Sequence, residues 1–298
     1  MALSSYENRV YQVMLDDDQA LVAKFYRPER WSGAQILEEH AFAAELMAEE
    51  IPVVGPLVLH GNTLHHSAGF AFSVSPRRGG RMPELDDVEV LEWVGRFIAR
   101  IHSVGQKQAF ATRPTLNLQT FAIDSRDWLL EHNMIPLDQQ ATWTSWCDKA
   151  IAIAKDVFAD HPSQLIRLHG DCHPGNILWT PTDHANGGPH FVDLDDARMG
   201  PAIQDLWMLI SGDRKQQTFQ LSVLLDGYEQ MRELNRSELA LIEPLRTLRL
   251  IHYSAWLARR RDDPAFVQHF SWFGSSDYWA GQIHMLEEQC EAMQAPAL

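Results

Sequence analysis

The hydrophobic periodicity of the chain changes at one short segment, RRGGRMP at residues 77–83. Before it, apolar residues alternate with polar ones between Gly, Pro and Asn, which is typical of antiparallel strands. After it, apolar residues recur at helical spacing, as at Val90, Leu91, Val94, Ile98 and Ile101. We predict an α+β chain with a small β-rich N-terminal lobe (residues 1–80), a larger, mainly helical C-terminal lobe (residues 81–298) and a cleft between them.

The N-terminal lobe is predicted to begin with a β-hairpin. NRVYQVML (residues 8–15) forms its first strand, Asp16–Asp18 the turn, and ALVAKFYRP (residues 20–28) the second strand, which contains Lys24. Two or three further strands are predicted over residues 55–76, which include a Gly-Asn turn. Together these strands indicate a small antiparallel sheet.

One helix is predicted between the hairpin and the later strands. Ser32 followed by Gln35 fits a capping box, and the helix ends before Pro52. Glu39 shares one face of this helix with the apolar residues Phe42, Ala43 and Leu46. Because burying an unpaired carboxylate is costly, we expect Glu39 to have a partner.

Composition excludes several classes of function. The 298 residues carry 25 Lys and Arg against 40 Asp and Glu, a net charge of −15, so we expect neither nucleic acid nor an anionic membrane as a partner. The three cysteines form no CxxC pair, which favours a reducing compartment. No apolar run is long enough to span a bilayer, and we expect no secretory signal. We predict a cytoplasmic protein and a monomer.

The segment LHGDCHPGNILW at residues 168–179 carries the functional prediction. Asp171 and Asn176 are five residues apart, and a β-like hairpin over residues 177–194 returns the chain so that Asp193 lies beside Asn176. Their oxygens are hard donors that suit Mg²⁺, which takes only one or two protein ligands beside phosphate oxygens and water. Asn176 and Asp193 are thus predicted metal ligands, and Asp171 is placed to accept a proton from a substrate hydroxyl.

Phosphoryl transfer also requires a cation on the α/β-phosphates and donors that cover them. Lys24 would supply the cation, and Glu39 would fix it, as a strand lysine paired with a helix glutamate. The segment LSSYENRVY (residues 3–11) precedes the first clear strand pair and is placed to cover the phosphates. These residues together predict a site for ATP with Mg²⁺.

Several segments of the sequence resemble those of a known superfamily. LHGDCHPGN, FVDLDDA and PAIQDLW are similar to the kinase-like phosphotransferases that include aminoglycoside phosphotransferases, choline kinases and homoserine kinases. Six longer segments, from SYENRVYQV to PLRTLRLIHYSAWLARRRDDPAF, resemble one bacterial group within it, the cytoplasmic serine/threonine protein kinases of the stress response. The resemblance implies a bilobal, protein kinase-like α+β fold, with a small antiparallel-sheet N-terminal lobe and a larger helical C-terminal lobe.

The resemblance also assigns roles by position in the C-terminal lobe. Asp171 would be the catalytic base. Asp193 would be an active-site residue and, with Asn176, a Mg²⁺ ligand. Asp205 would brace the catalytic loop rather than react.

In the N-terminal lobe, the resemblance makes Ser5 a contact of the nucleotide phosphates and makes Lys24 and Glu39 an ion pair. The backbone at Ser73–Ser75 would read the adenine. The chain departs from ordinary protein kinases because it has no G-x-G-x-x-G loop and no A-P-E triplet. The family has a segment before the nucleotide loop, so we expect a first strand to be missing here and Ser5 to be loosely held.

Other interpretations of single residues stay open. His169, Asp171 and His173 alternate like zinc ligands, but no further ligand stands at a known spacing, so His169 is predicted to be a buried residue that bonds the loop backbone. Asp195 and Asp196 form either a solvated acidic turn or a group that assists the metal or holds Arg198.

Two further features have a functional and a packing interpretation. Cys172 is adjacent to Asp171, but no base partner is evident, and packing is favoured over a redox or nucleophilic role. The aromatic segment after Arg259–Arg261 could form a cage for a quaternary ammonium group. We favour a helical core with arginines that extend along it.

The predicted activity is transfer of the γ-phosphoryl group of ATP to a hydroxyl. The resemblance implies that the acceptor is a serine or threonine of a protein, with autophosphorylation and a role in stress survival. The first alternative is a small-molecule kinase for a choline-, homoserine- or sugar-like alcohol. The second is a binding module that keeps the fold without catalysis, although the presence of Lys24, Asp171, Asn176 and Asp193 argues against it.

Overall fold

The computed structural model describes residues 1–3, 5–17 and 19–298. Two compact units can be distinguished. The first unit comprises residues 1–115 and 165–234, and the second unit comprises residues 116–164 and 235–298. This grouping differs from the predicted lobes, whose division stays a prediction.

The helices and strands follow one another in a mixed order along the chain. They are β1 (Arg9–Met14), β2 (Ala20–Phe25), α1 (Gly33–Ala48), β3 (His65–Ser67), β4 (Phe70–Pro76), α2 (Val88–Gly105), α3 (Asp124–Glu131), α4 (Leu137–Asp160), β5 (Ile166–Leu168), β6 (Ile177–Thr180), β7 (Gly188–Phe191), β8 (Arg198–Gly200), α5 (Ile203–Trp207), α6 (Arg214–Tyr228), α7 (Ile242–Ala258), α8 (Phe266–Phe270) and α9 (Ser276–Ala292). Helices α3, α4 and α7–α9 lie in the second unit, and the other elements lie in the first.

An antiparallel sheet in the order β1-β2-β4-β3 confirms the predicted hairpin. Lys24 is paired on both sides, with Val10 of β1 and Ser73 of β4, because β2 is an inner strand. Asp18 of the predicted turn lies outside the described residues, as does Ser4. Residues 1–3 also pair with β1, where Leu3 N donates to Val10 O at 2.9 Å. The backbone of residues 1–3 is therefore held by the sheet, and the loose hold expected for Ser5 stays a prediction.

Helix α1 begins as its capping box predicts. The side chain of Ser32 accepts from Gln35 N, and Oε1 of Gln35 accepts from Ser32 N. Glu39 lies on the buried face together with Phe42, Ala43 and Leu46. The predicted helix and its buried carboxylate are therefore confirmed.

Two small sheets follow in the first unit. Strands β6 and β7 form the predicted hairpin over residues 177–194. Strands β5 and β8 form a second antiparallel pair that the sequence does not predict. Each of these two strands has only three residues, too few for an alternating pattern to be recognised.

Helix α2 packs closely on α6 through glycines. Its predicted apolar stripe at Val90, Leu91, Val94, Ile98 and Ile101 is buried. A Cβ atom at Gly95 would lie 2.2 Å from Leu224 O, and one at Gly227 would lie 2.2 Å from Glu92 O. The two helix backbones can approach only because neither position has a side chain.

The second unit is helical, and its core contains Trp143 and Trp279, which meet edge to face with ring centres 5.9 Å apart. Among the described residues, no helix combines the length and apolarity needed to cross a bilayer.

Substituting Gly95 with Ala should lower the free energy of unfolding by about 1–3 kcal/mol, because the added methyl group overlaps the backbone of α6. Gly281→Ala in α9 is the matched control, since nothing lies within 4 Å of the added Cβ. It should raise the free energy of unfolding by up to about 1 kcal/mol, because alanine favours helix. Urea unfolding followed by circular dichroism measures both, and equal effects would contradict the described contact of α2 with α6.

Candidate active site

A cavity of about 430 Å³ in the first unit brings together most of the predicted site residues. Its apolar walls include Val10, Val22, Val54, Leu178 and Val192. Its polar lining includes the predicted residues Ser5, Lys24, Glu39, Asn176 and Asp193. Asp171 is not among the residues that line it.

Lys24 is a buried cation of this cavity, which Arg77 and Arg78 also line. Its Nζ lies 2.8 Å from Asp193 Oδ1 and 3.1 Å from Asp195 Oδ1. Burial disfavours the charged form, but the two carboxylates outweigh it and hold the pKa of Lys24 well above its usual value. The lysine therefore stays protonated at neutral pH.

The predicted ion pair between Lys24 and Glu39 is not formed. Among the described residues, the ammonium group pairs with Asp193 and Asp195, and Oε2 of Glu39 is buried without a hydrogen-bond partner. Two carboxylates on one loop attract the ammonium group more strongly than one carboxylate on α1. Burial raises the pKa of Glu39 to about 7, although Lys24 acts to lower it. Glu39 is therefore close to half-protonated near neutral pH.

Asn176 and Asp193 lie beside each other because β6 pairs with β7. Val192 N, one residue before Asp193, donates to Asn176 O at 3.0 Å, which confirms the predicted return of the chain. Asn176 Nδ2 donates to Asp171 O at 3.0 Å. In the described part of the chain, this leaves the side-chain oxygen of Asn176 without a hydrogen bond. A hard oxygen donor of Asn176 and the half-exposed carboxylate of Asp193 thus line the same cavity.

Asp171 lies in the loop between β5 and β6. Its side chain is 22% exposed, and its Oδ2 is 3.5 Å from Nε2 of His173. Nδ1 of His173 accepts from Gly175 N at 3.0 Å. Because the carbonyl of Asp171 accepts from Asn176, the predicted base is tied through the backbone to a predicted metal ligand.

Asp205 braces this loop, as predicted. Its Oδ2 accepts from His169 N at 2.8 Å and from His102 Nε2 at 3.1 Å, and its Oδ1 accepts from Gly170 N at 2.9 Å. Burial alone would raise the pKa of Asp205, but the interactions with His102 and with the backbone lower it. A buried anion therefore fixes the backbone just before Asp171.

Two residues of the loop hold it against the segment that carries Asp193. Gly170 has φ of +85°, and a Cβ atom there would lie 2.2 Å from Asp196 O. His169 is buried, and its Nε2 donates to Val192 O at 2.9 Å. The predicted structural role of His169, as a buried residue that bonds the loop backbone, is therefore confirmed.

The acidic residues that follow Asp193 are ion-paired. Asp195 is 2% exposed and contacts Nη1 of Arg30, so a solvated turn is the wrong interpretation for it. Asp196 lies 2.9 Å from Nη2 of Arg30 and also pairs with Arg198. The sequence left three interpretations open for these residues. For Asp196, the structure has the ion pair with Arg198.

Two arginines of this cluster are missing from the sequence predictions. Arg30 pairs with the acidic loop, and Arg113 donates to the backbone carbonyls of Asp195 and Ala197. The guanidinium group of Arg113 also lies 4.4 Å from the ring centre of Trp31. Arg30 lies in the segment VAKFYRPERW (residues 22–31), one of the six that resemble the family, but the resemblance assigns it no role. Arg113 lies in no such segment.

Ser73 and Ser75, whose backbone is predicted to read the adenine, both line the cavity. Ser73 Oγ is 3.0 Å from the hydroxyl of Tyr26, and the carbonyl of Val74 accepts from Leu57 N at 2.7 Å. Their role in reading adenine stays a prediction.

For Cys172 and for the segment around Arg259–Arg261, the structure favours a packing role over a functional one. Cys172 is fully buried, and burial raises the pKa of its thiol, so it is not a thiolate at neutral pH. In the second unit, Arg259 lies over the ring of Trp128 and Arg260 over the ring of Trp256, at 5.1 and 4.2 Å from the ring centres. Cations of the chain itself therefore cover these two rings, which disfavours an ammonium cage there.

Glu39→Gln should remove a pH dependence of stability. Because the pKa of Glu39 is raised from 4.5 to about 7, its contribution to stability is present below its unfolded pKa and is lost as the pH rises through 7. The stability of the variant relative to the wild type should therefore rise, by on the order of 3 kcal/mol, between about pH 5 and about pH 8. Urea unfolding across this range tests it, and a constant difference would contradict the burial of an ionisable Glu39.

Comparison with known proteins shows the family of the chain. Residues 2–242 match the model of the family described as "Phosphotransferase enzyme family". Stress response kinase A of Escherichia coli O157:H7 is 46% identical over 296 residues, which cover 99% of this chain and 88% of that protein. Serine/threonine protein kinase RdoA of Salmonella typhimurium (strain LT2) is 45% identical with the same coverage. The predicted resemblance to stress response kinases is confirmed.

Solved structures confirm the predicted kinase-like α+β fold. Amicoumacin kinase hAmiN, in complex with AMP-PNP, Ca²⁺ and Ami, superposes with a TM-score of 0.74 at 20% identity, over 98% of this chain and 88% of that one. A microcompartment-associated aminopropanol kinase gives 0.72 at 18% identity, over 99% and 90%. At these identities the likeness shows the fold alone. From its family match and its relatives, the chain belongs to the phosphotransferase enzyme family.

Proposed function

We propose that the protein transfers the γ-phosphoryl group of ATP, with Mg²⁺, to a serine or threonine hydroxyl of a protein, its own chain included. The observation that carries this proposal is the 2.8 Å contact between Lys24 and Asp193 in a cavity that Asn176 also lines. A strand cation, a carboxylate and an amide oxygen in one cavity are the groups that hold a metal–nucleotide complex.

The donor set fits Mg²⁺. Asn176 and Asp193 would hold the ion through oxygen atoms and leave its other positions to phosphate and water. When bound, Mg²⁺ neutralises charge on the transferring phosphoryl group. Lys24 would bind the α/β-phosphates, and the apolar walls around Val22 and Leu178 would enclose the base.

Asp171 would orient the acceptor hydroxyl and accept its proton. Its backbone is fixed from both sides, because Asp205 accepts from Gly170 N and Asn176 donates to the Asp171 carbonyl. The catalytic contribution of such a residue is chiefly positioning, since phosphoryl transfer requires little covalent participation by the protein.

A protein acceptor is favoured by the relatives at 45–46% identity, one of which is named a serine/threonine protein kinase. A small-molecule alcohol is the alternative, because structures of the same fold include an aminopropanol kinase. Cytoplasmic location, a role in stress survival and a monomeric state belong to the proposal as predictions.

A phosphate-transfer screen tests the proposal. The wild-type chain is incubated with labelled ATP and Mg²⁺, alone, with generic protein substrates, and with a panel of metabolite alcohols. We expect label on protein serine or threonine residues. Label only on one metabolite would support the alternative acceptor, and no transfer without any change in melting temperature on adding ATP and Mg²⁺ would support the binding module.

Asp171→Asn should lower the transfer rate by a factor of about 10²–10⁴, because the amide cannot accept the proton. It should retain the ATP-induced rise in melting temperature, since Asp171 does not line the cavity. Asp183→Asn is the matched control at a side chain that is 85% exposed, and it should leave the rate unchanged. An active Asp171→Asn variant would refute Asp171 as the base.

Asn176→Ala should raise the Mg²⁺ concentration needed for half-maximal transfer by about tenfold or more, because it removes one of two protein oxygen donors. A titration of initial rates with MgCl₂ at fixed ATP measures this. If the half-maximal concentration stays at the wild-type value, Asn176 is not a metal ligand.

A further inference from the structure

The loop before β1 has no glycine motif, yet its end is firmly held. Asn8 is only 4% exposed. Its Nδ2 donates to Asp195 Oδ2 at 3.2 Å, and its Oδ1 accepts from Arg27 N at 3.1 Å. One amide side chain therefore joins the predicted phosphate-covering loop to the end of β2 and to the loop that carries Asp193.

Arg30 makes a second connection between the same two loops. Its Nε lies 3.5 Å from Oε1 of Glu7, next to Asn8. Its two terminal nitrogens contact Asp195 and Asp196, the latter at 2.9 Å. The side chain of Arg30 is 14% exposed, so these charges interact in an environment that water screens weakly.

The two connections meet at the carboxylate that also holds Lys24. Asp195 Oδ1 is 3.1 Å from Lys24 Nζ. Its Oδ2 accepts from Nδ2 of Asn8 and pairs with Nη1 of Arg30. A displacement of the phosphate-covering loop would therefore break a bond to the residue that positions the lysine. In loops with G-x-G-x-x-G, the backbone itself can lie against the phosphates, whereas here side chains hold the loop in place.

We propose that Asn8 and Arg30 are positioning residues that clamp the loop at residues 5–8 onto the loop at residues 193–196 and so set the affinity for the nucleotide. This inference rests on the proposed function, because it assigns the two loops to the phosphates and the metal. Neither side chain lines the cavity, so they act through the loops and not by touching the nucleotide. Loss of the clamp should weaken nucleotide binding more than it slows the chemical step.

Asn8→Asp tests the clamp because it keeps the size of the side chain and the bond from Arg27 N, but replaces the donor to Asp195 with a carboxylate. We expect KM for ATP to rise about tenfold or more, the effect of losing one hydrogen bond to a charged group, with kcat within about threefold of the wild type. Asn62→Asp, the same change at an exposed turn residue of the first unit, is the control and should leave both constants unchanged. Arg30→Gln should raise KM for ATP in the same way.

Folding controls separate the clamp from a general loss of structure. The melting temperature without nucleotide and the circular dichroism spectrum identify a temperature at which Asn8→Asp and Arg30→Gln are both folded. At that temperature we expect KM for ATP to be raised in both variants although their helix content equals that of the wild type. If Asn8→Asp unfolds below the assay temperature, Asn8→Ala, which adds no charge, is measured in its place.

Failure of the clamp can be distinguished from failure of the proposed function. An active wild type whose KM for ATP is unchanged in Asn8→Asp and Arg30→Gln would overturn the clamp alone. A fall in kcat at unchanged KM would also overturn it. A wild type that neither binds nor turns over ATP with Mg²⁺ would overturn the proposed function and the clamp together.

Discussion

The arrangement of the candidate site depends on the buried carboxylate of Asp195. One of its oxygens pairs with Lys24, and the other accepts from Asn8 and pairs with Arg30. Burial would raise the pKa of this carboxyl, but the two cations outweigh it and lower the pKa, so the residue stays ionised. A buried anion with cationic and amide partners keeps three separate parts of the chain in register, and removing any partner would leave a charge that the interior tolerates poorly.

A second buried anion does the same for the loop that carries Asp171. Asp205 accepts from two consecutive backbone N–H groups and from His102, whose other ring nitrogen faces the hydroxyl of Tyr228 at 2.9 Å. Asp193 and Asp171 thus lie on loops that are each fixed by a neighbouring buried carboxylate. The carboxylates proposed to act are the more exposed ones, and the carboxylates that organise are buried. Such a division provides rigid positioning without burying the reactive groups.

Features that depend only on neighbouring residues could be predicted from the sequence. The capping box at Ser32, the strand around Lys24 and the hairpin after Asn176 each follow from a few neighbouring residues, and the structure has them. The partner of Lys24 was predicted wrongly, because the choice between Glu39 and two aspartates depends on distances between elements that no local pattern contains. The roles of Asn8 and Arg30 could not be predicted either, since their contacts with Asp195 span more than 160 residues of sequence.

The account depends most on the claim that Lys24, Asn176 and Asp193 hold one metal–nucleotide complex. A crystal structure of the protein with Mg²⁺ and a non-hydrolysable ATP analogue tests this most directly. The account predicts phosphate oxygens beside Lys24 Nζ, an ion shared by the oxygens of Asn176 and Asp193, and the base between the apolar walls of the cavity. A nucleotide bound elsewhere on the chain, or an ion held without either residue, would contradict it.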